Sequence, residues 1–409
     1  MDDRPIYLDH MATTPCDPLV IEAMMPYLGP MGDFGNPASA THDYGRRAAI
    51  AVENARVEVA NSIGARVDDI VFTSGATEAN NLAILGAARF YQRKGKHVVT
   101  MKTEHVSVLD GFRQLEREGF QVTYLESQAD GLLDLSLLEK ALREDTILIS
   151  IMFVNNEIGV IQEIAAIGEL LRGRGIVFHV DAAQAAGKLL IDLQQVSVDL
   201  MSFSAHKNYG PKGIGALYVR QQPRIRLQTL SFGGGHEGGL RSGTLPTHQI
   251  VGMGRAFSLS ESMRVQEQAR LHRLRLKLWE GIQALPGIHL NGHPTRRIAG
   301  HLNVSFSGID GAALIPALNR LAVSTTSACS SLNKHPSHVL AALGLSADLA
   351  RSTIRLSVGR FTTEEQVDEV VEILGRQIPR LQDNVRFDAR IGSYFGFDPY
   401  LEVQEFKKP

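Results

Sequence analysis

The sequence is poor in cysteine and in long apolar runs, and each of these two scarcities excludes a class of protein. Its 409 residues include 2 cysteines and 1 tryptophan. Two cysteines, Cys16 and Cys329, make neither a disulfide framework nor a zinc site, so each needs its own explanation. No stretch approaches the roughly 18 apolar residues of a membrane-spanning helix. The first residues lack the basic and apolar regions of a signal peptide, so we expect a cytoplasmic protein with reduced thiols.

The sequence also lacks an excess of charge of either sign. It has 42 Lys and Arg against 44 Asp and Glu, which gives a formal net charge of −2. This balance gives no reason to expect direct binding of nucleic acid or of a membrane surface. Hydrophobic residues make up 44% of the chain, which is ordinary for a globular protein and is enough for a large core.

Short apolar runs alternate with amphipathic stretches up to about residue 260. The pattern predicts a helix over 44–63 and strands at DIVFTS, HVVTMK, QVTYLE, ILISIMFV, GIVFHVD, DLMSFSA and GALYVR. Apolar strands separated by helices indicate an α/β fold with a mostly parallel sheet covered on both faces. Ligands of such sheets bind beyond the carboxyl ends of the strands. The residues that follow each strand are therefore the candidates for a functional site.

From about residue 262 the pattern changes to α+β. A long charged stretch predicts a helix over 262–284, HLNVSFS and STIRLSVG are strand-like, and a further helix is predicted to be capped by Thr362 with Glu365. We therefore predict a large domain over 16–261, a smaller α+β domain built from 1–15 and 262–383, and a C-terminal tail over 384–409 that is a candidate partner-binding segment.

Several segments that follow predicted strands are suited to binding a ligand. Residues 74–77 open a helix whose N–H groups suit a phosphate, although helix capping explains them equally well. Asp181 directly follows a buried strand and needs a partner there; a pyridinium nitrogen is one, and an N-cap role is the alternative. Lys207 lies in a small, glycine-rich loop, where burial would lower its pKa and make the amine nucleophilic. His105 and the adjacent amides Asn155 and Asn156 are further candidates, although a lone histidine or a turn amide is often structural.

Longer motifs place these segments in one order along the chain. They are FGNPAS at 34–39, FTSGATEANNLAI at 72–84, KTEH at 102–105, VNNEIGV at 154–160, HVDAAQ at 179–184, SAHKNYGPKGIGALYVR at 204–220, GGGHEGGLRSGTLP at 233–246, SACSS at 327–331 and IRLSVGRFTTEE at 354–365. In these motifs the chain resembles the class V aminotransferase family, and more narrowly its bacterial cysteine desulfurases. The resemblance implies a fold-type-I enzyme dependent on pyridoxal 5'-phosphate (PLP), with a mostly parallel seven-stranded sheet flanked by helices.

The resemblance also implies a role for each candidate residue. Lys207 would hold PLP as a Schiff base, Asp181 would pair with the pyridine nitrogen, and His105 would stack on the ring and transfer protons. The phosphate would be held by Ala76, Thr77, Ser204 and His206, and by Thr244 reaching across a homodimer to the other subunit's site. Gln184 would bond the phenolic oxygen of the ring. The substrate carboxylate would be bound by Arg355 with Asn156 and Asn36.

Cys329 lies in a stretch rich in Ser, Thr and Ala, where core packing explains a thiol poorly. In the family this position is the nucleophile that attacks the sulfur of bound cysteine and leaves as a persulfide. The resemblance therefore implies an L-cysteine desulfurase that also yields L-alanine. No resident metal is expected, although Cys329 could ligate a cluster transiently in a complex. Cys16 is interpreted as a structural thiol.

Two alternatives stay open, together with the identity of the sulfur acceptor. A selenocysteine lyase or another class V PLP enzyme would share the fold, although an aminotransferase would not need Cys329. A non-catalytic sulfur-relay or scaffold protein would not need Lys207. The resemblance implies acceptors in iron–sulfur cluster assembly or tRNA thiolation. A basic patch suited to acidic partners, equally explained as a solvated face, is formed by Arg220, Arg224 and Arg226.

Overall fold

The computed structural model describes residues 4–325 and 337–394 and gives residues 386–394 by their backbone only, so Cys329 lies outside the described residues. Its strands are β1 (Ile6–Tyr7), β2 (Ile70–Thr73), β3 (His97–Met101), β4 (Gln121–Leu125), β5 (Thr146–Ser150), β6 (Val177–Asp181), β7 (Leu200–Ser204), β8 (Gly215–Val219), β9 (Ile288–Leu290), β10 (His301–Phe306), β11 (Leu321–Ala322), β12 (Ser324–Thr325) and β13 (Thr353–Ser357). Its α-helices are α1 (Pro18–Met24), α2 (Asp43–Ser62), α3 (Ala76–Tyr91), α4 (Val106–Arg117), α5 (Leu135–Ala141), α6 (Ile164–Leu171), α7 (Thr247–Ile282), α8 (Gly311–Ala317), α9 (His338–Ala342), α10 (Ala347–Arg351) and α11 (Glu364–Tyr394).

The central sheet has seven strands in the order β2-β8-β7-β6-β5-β3-β4. Its neighbours are parallel except at β8, which pairs antiparallel with β2 and with β7. Each of the seven apolar runs predicted as strands overlaps one of these strands. The predicted α/β fold with a mostly parallel seven-stranded sheet is therefore confirmed.

Alternate residues of the central strands enter two different hydrophobic cores, one on each face of the sheet. In β7, Met201 and Phe203 pack into the core that includes Ile250 and Phe257 of α7, whereas Leu200 packs into the core under α3 and α4. Successive side chains of a strand point to opposite faces, so a strand with helices on both sides is apolar at every position. All five residues of β7 are accordingly buried.

A second, smaller sheet has the order β12-β13-β10-β9 and is antiparallel throughout. Its core includes Ile6 and Leu8 from the start of the chain, together with residues from α7, β10, β13 and α11. The beginning of the chain joins this unit because β1 pairs in parallel with β11. The sheet and its core draw on parts of the chain assigned to the α+β domain of 1–15 and 262–383, and the domain bounds themselves stay a prediction.

The long helix α7 connects the two units without a break. Its first half contributes Met253 and Phe257 to the large core, and its second half contributes Leu274 and Leu278 to the small one. The helix predicted over 262–284 therefore begins earlier, at Thr247. The predicted boundary at residue 261 falls inside the helix, near the point where its buried face changes core.

The helix α11 differs from the prediction at both ends. Thr363 Oγ1 accepts a hydrogen bond from the N–H of Gln366, and the Gln366 amide oxygen accepts one from the N–H of Thr363. The capping pair is thus one residue later than predicted, because Thr362 Oγ1 instead accepts the N–H of Gly359. The helix also continues to Tyr394, into the stretch predicted as a tail. None of the helices described is both long and apolar enough to cross a membrane.

Candidate active site

A cavity of about 440 Å³ lies where the carboxyl ends of β2, β6 and β7 meet segments of the smaller unit. This is the edge of the sheet at which the sequence predicts the site. The predicted site residues that line it are Ala76, Thr77, His105, Asn156, Asp181, Gln184, Ser204, His206, Lys207 and Arg355. The fold therefore brings together residues separated by up to about 280 positions in sequence, and their individual roles stay predictions.

One end of the cavity is built to receive an anion. The 16-residue helix α3 begins there after Gly75, whose φ of 153° favours glycine and whose Cβ, if present, would meet nothing within 4 Å. The first N–H groups of a helix lack partners and carry the positive end of the helix dipole. Ser204 and His206 border the cavity as well, and burial together with nearby Lys207 lowers the pKa of His206 to about 4. A phosphate group suits this end.

Asp181 supplies a buried carboxylate at the end of β6, and the residue is only 5% exposed. Its Oδ2 accepts a hydrogen bond of 2.8 Å from the amide of Asn80, and its Oδ1 accepts one of 3.0 Å from the N–H of Ala183. Two bonds leave lone pairs on a carboxylate that can accept about four. Asp181 therefore caps the following turn and can also pair with a cationic ring nitrogen.

His105 begins α4 and faces the same cavity. Its Nδ1 lies 3.2 Å from the N–H of Ser107, which donates to it, so this nitrogen carries no proton. Burial lowers the pKa of His105, with Asp181 opposing and Lys207 adding to that change. The imidazole is therefore neutral near pH 7, with its proton on Nε2. A neutral ring can lie against an aromatic cofactor and exchange a proton at Nε2.

Lys207 lies in the short turn that follows β7 and reaches toward the beginning of the chain. Its Nζ donates to the carbonyl oxygens of Met11, at 2.8 Å, and of Ala12, at 2.5 Å. The Met11 carbonyl also accepts a bond of 2.8 Å from Nε2 of Gln184. Lys207, predicted to hold the cofactor, and Gln184, predicted to bind its phenolic oxygen, thus share the Met11 carbonyl as an acceptor.

Arg355 forms the opposite end of the cavity and is only 4% exposed. Its guanidinium donates to Asp9 Oδ1 at 2.7 Å and to the Asn156 carbonyl at 2.9 Å. Two buried polar atoms here, Arg355 Nε and Asn156 Oδ1, make no hydrogen bond with the described part of the chain. Buried polar groups are normally paired, and a guanidinium binds carboxylates well. This end can therefore hold the carboxylate of an amino acid.

These features fit PLP. The volume is in the ordinary range of small-molecule sites, and the cavity offers an anion site, a carboxylate for a ring nitrogen and an amine for a carbonyl carbon. The unpaired atoms at Arg355 and Asn156 leave room for the polar end of a substrate. Lys207 would hold the cofactor covalently, while Asp181, His105 and Gln184 would fix its ring.

Two predicted site residues, Asn36 and Thr244, do not line the cavity, and a third, Cys329, cannot be compared with it. Asn36 is exposed, with its Oδ1 accepting from the N–H of Ala38. Thr244 is exposed in the segment before α7, and neither residue lines the cavity of the single chain. Cys329 lies outside the described residues. The roles of all three stay predictions.

Two features flank the segment that contains Cys329 and connect it with the site. On its N-terminal side, Ser324 Oγ donates to Asp9 Oδ2, the carboxylate that holds Arg355. On its C-terminal side, Ser337 Oγ donates to Oε2 of the buried Glu157, which follows Asn156. Both ends of the segment are thus attached beside the substrate end of the cavity.

The sequence interpretation missed the residues that support the site. Asn80 lies one helical turn after Ala76, and this spacing is the signal that places it on the same face of α3. Asp9 lies near the start of the sequence, 346 residues from its partner Arg355. Only the fold reveals such a contact. Within the predicted basic patch, Arg220 is paired with Asp199, whereas Arg224 and Arg226 are exposed.

The fold and the cavity together define a fold-type-I PLP-dependent enzyme. The family model of class-V aminotransferases matches residues 6–370. The chain is 60% identical over 379 residues to a cysteine desulfurase IscS of Pectobacterium atrosepticum, covering 93% of this chain and 94% of that protein. The chain belongs to the class-V aminotransferase family and, within it, to the cysteine desulfurases.

Solved structures agree with this assignment. A NifS-like protein is 34% identical, with a TM-score of 0.84 and coverage of 94% of this chain and 100% of that one. SspA, solved in complex with cysteine, is 38% identical, with a TM-score of 0.78 and coverage of 88% and 100%. PLP is accordingly the cofactor of this chain.

Proposed function

We propose that this chain removes sulfur from L-cysteine, yielding L-alanine and a persulfide on Cys329. The observation that carries the proposal is the convergence of Lys207, Asp181, His105 and Arg355 on one cavity. A similar structure holds cysteine, which supports cysteine as the substrate. A reducing cytoplasmic compartment would keep Cys329 a free thiol.

Each residue of the cavity has a task in this reaction. PLP, when bound, draws electrons away from the Cα atom of an amino acid and so weakens the bonds at that carbon. Arg355 binds the substrate carboxylate and fixes the amino acid in one orientation. Asp181 keeps a positive charge on the ring nitrogen by pairing with it. The Lys207 amine, once released, takes the Cα proton, and His105 exchanges a proton at Nε2.

Cys329 completes the chemistry without any external oxidant. Its thiolate attacks the substrate sulfur, a sulfur–sulfur bond forms, and the carbon–sulfur bond breaks with its electron pair going to carbon. A proton then reaches that carbon and Lys207 returns one to Cα, so that cysteine and the Cys329 thiol become alanine and the Cys329 persulfide. Both flanks of its segment are attached next to Arg355 and Asn156, which supports delivery of the thiol to this end of the cavity.

The two cysteines of the chain give a matched test. We expect Cys329→Ala to bind PLP and stay yellow but to release no sulfide from L-cysteine in the presence of a thiol reductant. Cys16→Ala should behave as the wild type, because Cys16 is a partly buried thiol whose pKa is raised by burial. Full sulfide release by Cys329→Ala would refute the proposal. A Lys207→Ala protein with unchanged turnover would refute the cofactor assignment.

We also propose that the chain works as a homodimer, with Thr244 reaching the cavity of the other subunit. Thr244 is exposed and lies outside the cavity of its own chain. Large apolar side chains are exposed near the start of the chain, with Met25 59%, Leu28 53%, Met31 98% and Phe34 55% exposed. Exposed apolar surface of this kind is typical of an interface. The same proposal retains a large domain over 16–261 and a small one from 1–15 and 262–383.

Mixing inactive subunits tests this arrangement. Light scattering should give twice the 44.7 kDa of one chain. Co-expressed Lys207→Ala and Thr244→Ala chains should recover activity, because their mixed dimer has one site carrying both defects and one site carrying neither. If Thr244 served its own chain, each site of the mixed dimer would carry one defect and no activity would return.

We further propose that the sulfur passes to acidic acceptor proteins, of iron–sulfur cluster assembly or of tRNA thiolation, through a surface that includes Arg224 and Arg226. Both arginines are exposed, whereas Arg220 is held by Asp199. Reversing both charges should weaken transfer of the persulfide sulfur to a purified acceptor and leave sulfide release to a small reductant unchanged. The same reversal at the exposed Arg113 and Arg117 of α4 is the control. An equal loss of sulfur transfer in the two double variants would argue against a specific surface. Deletion of residues 395–409 tests separately whether the C-terminal tail contributes to the transfer.

A further inference from the structure

Lys188 is a partly buried lysine next to the cavity, and the reaction above has no use for it. It follows β6 by seven residues and sends its Nζ between two residues of the cofactor site. The amine donates to the Gln184 side-chain oxygen at 3.1 Å and to the main-chain oxygen of Lys207 at 3.2 Å. Both partners are oxygen atoms that accept, so the Lys188 amine is the donor in each contact. Lys188 thus connects the Gln184 side chain with the turn that carries Lys207.

The contact with Lys188 fixes which way the Gln184 amide faces. Gln184 is only 4% exposed, and its Nε2 donates to the Met11 carbonyl at 2.8 Å while its Oε1 accepts from Lys188. A half-turn of the amide would set oxygen against the Met11 carbonyl and nitrogen against the Lys188 amine. Both hydrogen bonds would be lost in a buried position. The second N–H of Nε2 is therefore left for the cavity, which Gln184 lines.

The surroundings of Lys188 show that it is not a solvated surface lysine. Its side chain lines a small internal cavity of about 30 Å³ together with Glu267 and His10. Burial and the charge of Lys207 lower the pKa of Lys188 to about 7, and Glu267 opposes this change. Lys207 and Glu267 are thus the charged groups that act on the pKa of Lys188. Lys188 in turn lowers the pKa of His10 and that of His206. A neutral amine still has two N–H groups, so both hydrogen bonds persist in either protonation state.

We infer that Lys188 is a positioning residue of the cofactor site, which locks the Gln184 amide with its free N–H toward the phenolic oxygen of PLP and braces the Lys207 turn. The inference rests on the proposed function, because the assignment of Gln184 to the phenolic oxygen comes from there. A donor at that oxygen favours its ionised form and so lowers the pH at which the ring system loses its proton. Loss of the lock would let the amide turn its oxygen toward the ring and would remove this effect.

The test is a double-mutant cycle read by the visible absorbance of the purified PLP-loaded enzyme against pH. Lys188→Met keeps the length of the side chain and removes the donor. We expect it to raise the pH midpoint of the absorbance change by about one unit and to raise the dissociation constant of PLP roughly fivefold. Lys188→Arg, which retains donors, should restore most of both values. The exposed Lys140→Met of α5 serves as the control and should change neither.

The cycle separates positioning from a simple effect of charge. If Lys188 acts through Gln184, adding Lys188→Met to Gln184→Ala should cause no further shift of the midpoint. A shift that adds in full would mean that the lysine charge acts on the ring directly, and would overturn the inference.

The role of Lys188 and the role of Gln184 can be refuted separately. A normal midpoint in Lys188→Met beside a shifted one in Gln184→Ala would overturn the inference and leave the site assignment intact. A normal midpoint in Gln184→Ala would overturn both the role of Gln184 and the role built on it. Thermal melting of each variant checks folding, and Lys188→Gln, too short to reach both acceptors, replaces Lys188→Met if that protein does not fold.

Discussion

At the scale of single residues, the site depends on buried polar groups whose partners come from distant parts of the chain. Asp181 is held by Asn80, and Arg355 is held by Asp9. A buried charge without a partner costs several kcal/mol, so each of these pairs must form for the site to exist. The supporting partners are as necessary as the groups that touch the cofactor, because they fix where those groups point.

Replacing the ring-binding carboxylate separates cofactor binding from cofactor activation. Asp181→Asn keeps the size of the side chain and an acceptor for Asn80, so we expect a folded protein that binds PLP. The amide cannot hold a positive charge on the ring nitrogen, so kcat for cysteine should fall roughly 100-fold or more. Steady-state sulfide release measures the effect. A kcat within a few fold of the wild type would contradict the proposed pairing.

The buried ion pair at the substrate end gives a second prediction. Asp9→Asn should loosen the Arg355 guanidinium, because it removes the charge of a buried ion pair. The Arg355 side chain in this pair is 5% exposed and the Asp9 side chain is 18% exposed. We expect KM for cysteine to rise roughly tenfold with a smaller change in kcat, which corresponds to about 1.4 kcal/mol of binding free energy. Asp33→Asn breaks an exposed pair with Arg47 and is the matched control. Equal effects on both KM values would argue against the role of Asp9.

At the scale of elements, the helices α2 and α7 of the large unit pack closely against each other. A Cβ added at Gly254 of α7 would lie 2.8 Å from Cα of Ala55 in α2, closer than such atoms approach. Gly375 of α11 has nothing within 4 Å of its Cβ position. The same substitution therefore has opposite consequences on two helices of one protein.

This contrast is directly testable. Gly254→Ala should lower the free energy of unfolding by about 1–3 kcal/mol, because the helices must move apart. Gly375→Ala should raise it by about 0.5–1 kcal/mol, because alanine favours a helix and meets no obstacle there. Urea unfolding of the two variants measures both changes. A stabilised Gly254→Ala protein would show that the two helices can separate without cost.

At the scale of the whole molecule, several histidines are buried in a neutral state. Burial lowers the pKa of His179 to about 3 and that of His10 to about 4, and it lowers the pKa of His301 well below its usual range. His179 is bonded on both ring nitrogens, to Ser150 and to Ser202. These rings take up protons readily only when the chain unfolds.

Stability should therefore fall in acid. Above the ordinary histidine pKa of about 6.5 the folded and unfolded chains bind equal numbers of protons at these rings, whereas below it the unfolded chain binds more. We expect the urea midpoint of the cofactor-free protein to decrease steadily from pH 6.5 to pH 4. His179→Gln should show a shallower decrease, whereas the exposed His289→Gln should keep the wild-type slope. An unchanged slope in His179→Gln would exclude that ring as a contributor.

The sequence could predict the sheet because each strand leaves a local pattern. Strands buried on both faces are continuous apolar runs, and all seven were found from those runs alone. The exact beginning of α7 was missed because a helix that crosses from one core to another changes its buried face and interrupts the periodic pattern. The continuation of α11 to Tyr394 was missed for a similar reason, since the pattern weakens before the helix ends.

The sequence by itself determined the fold class and the family, and it predicted the cofactor lysine and the groups around it, because these follow from local patterns and from motifs in a fixed order. Only the tertiary structure decided which side chains support them. Asp9 meets Arg355 across 346 residues, and Lys188 meets Gln184 and the Lys207 turn by the path of the chain after β6. Such partners are set by the burial of charge and of hydrogen-bonding groups in three dimensions, and a buried polar group satisfies that requirement with whichever residue the fold brings near it.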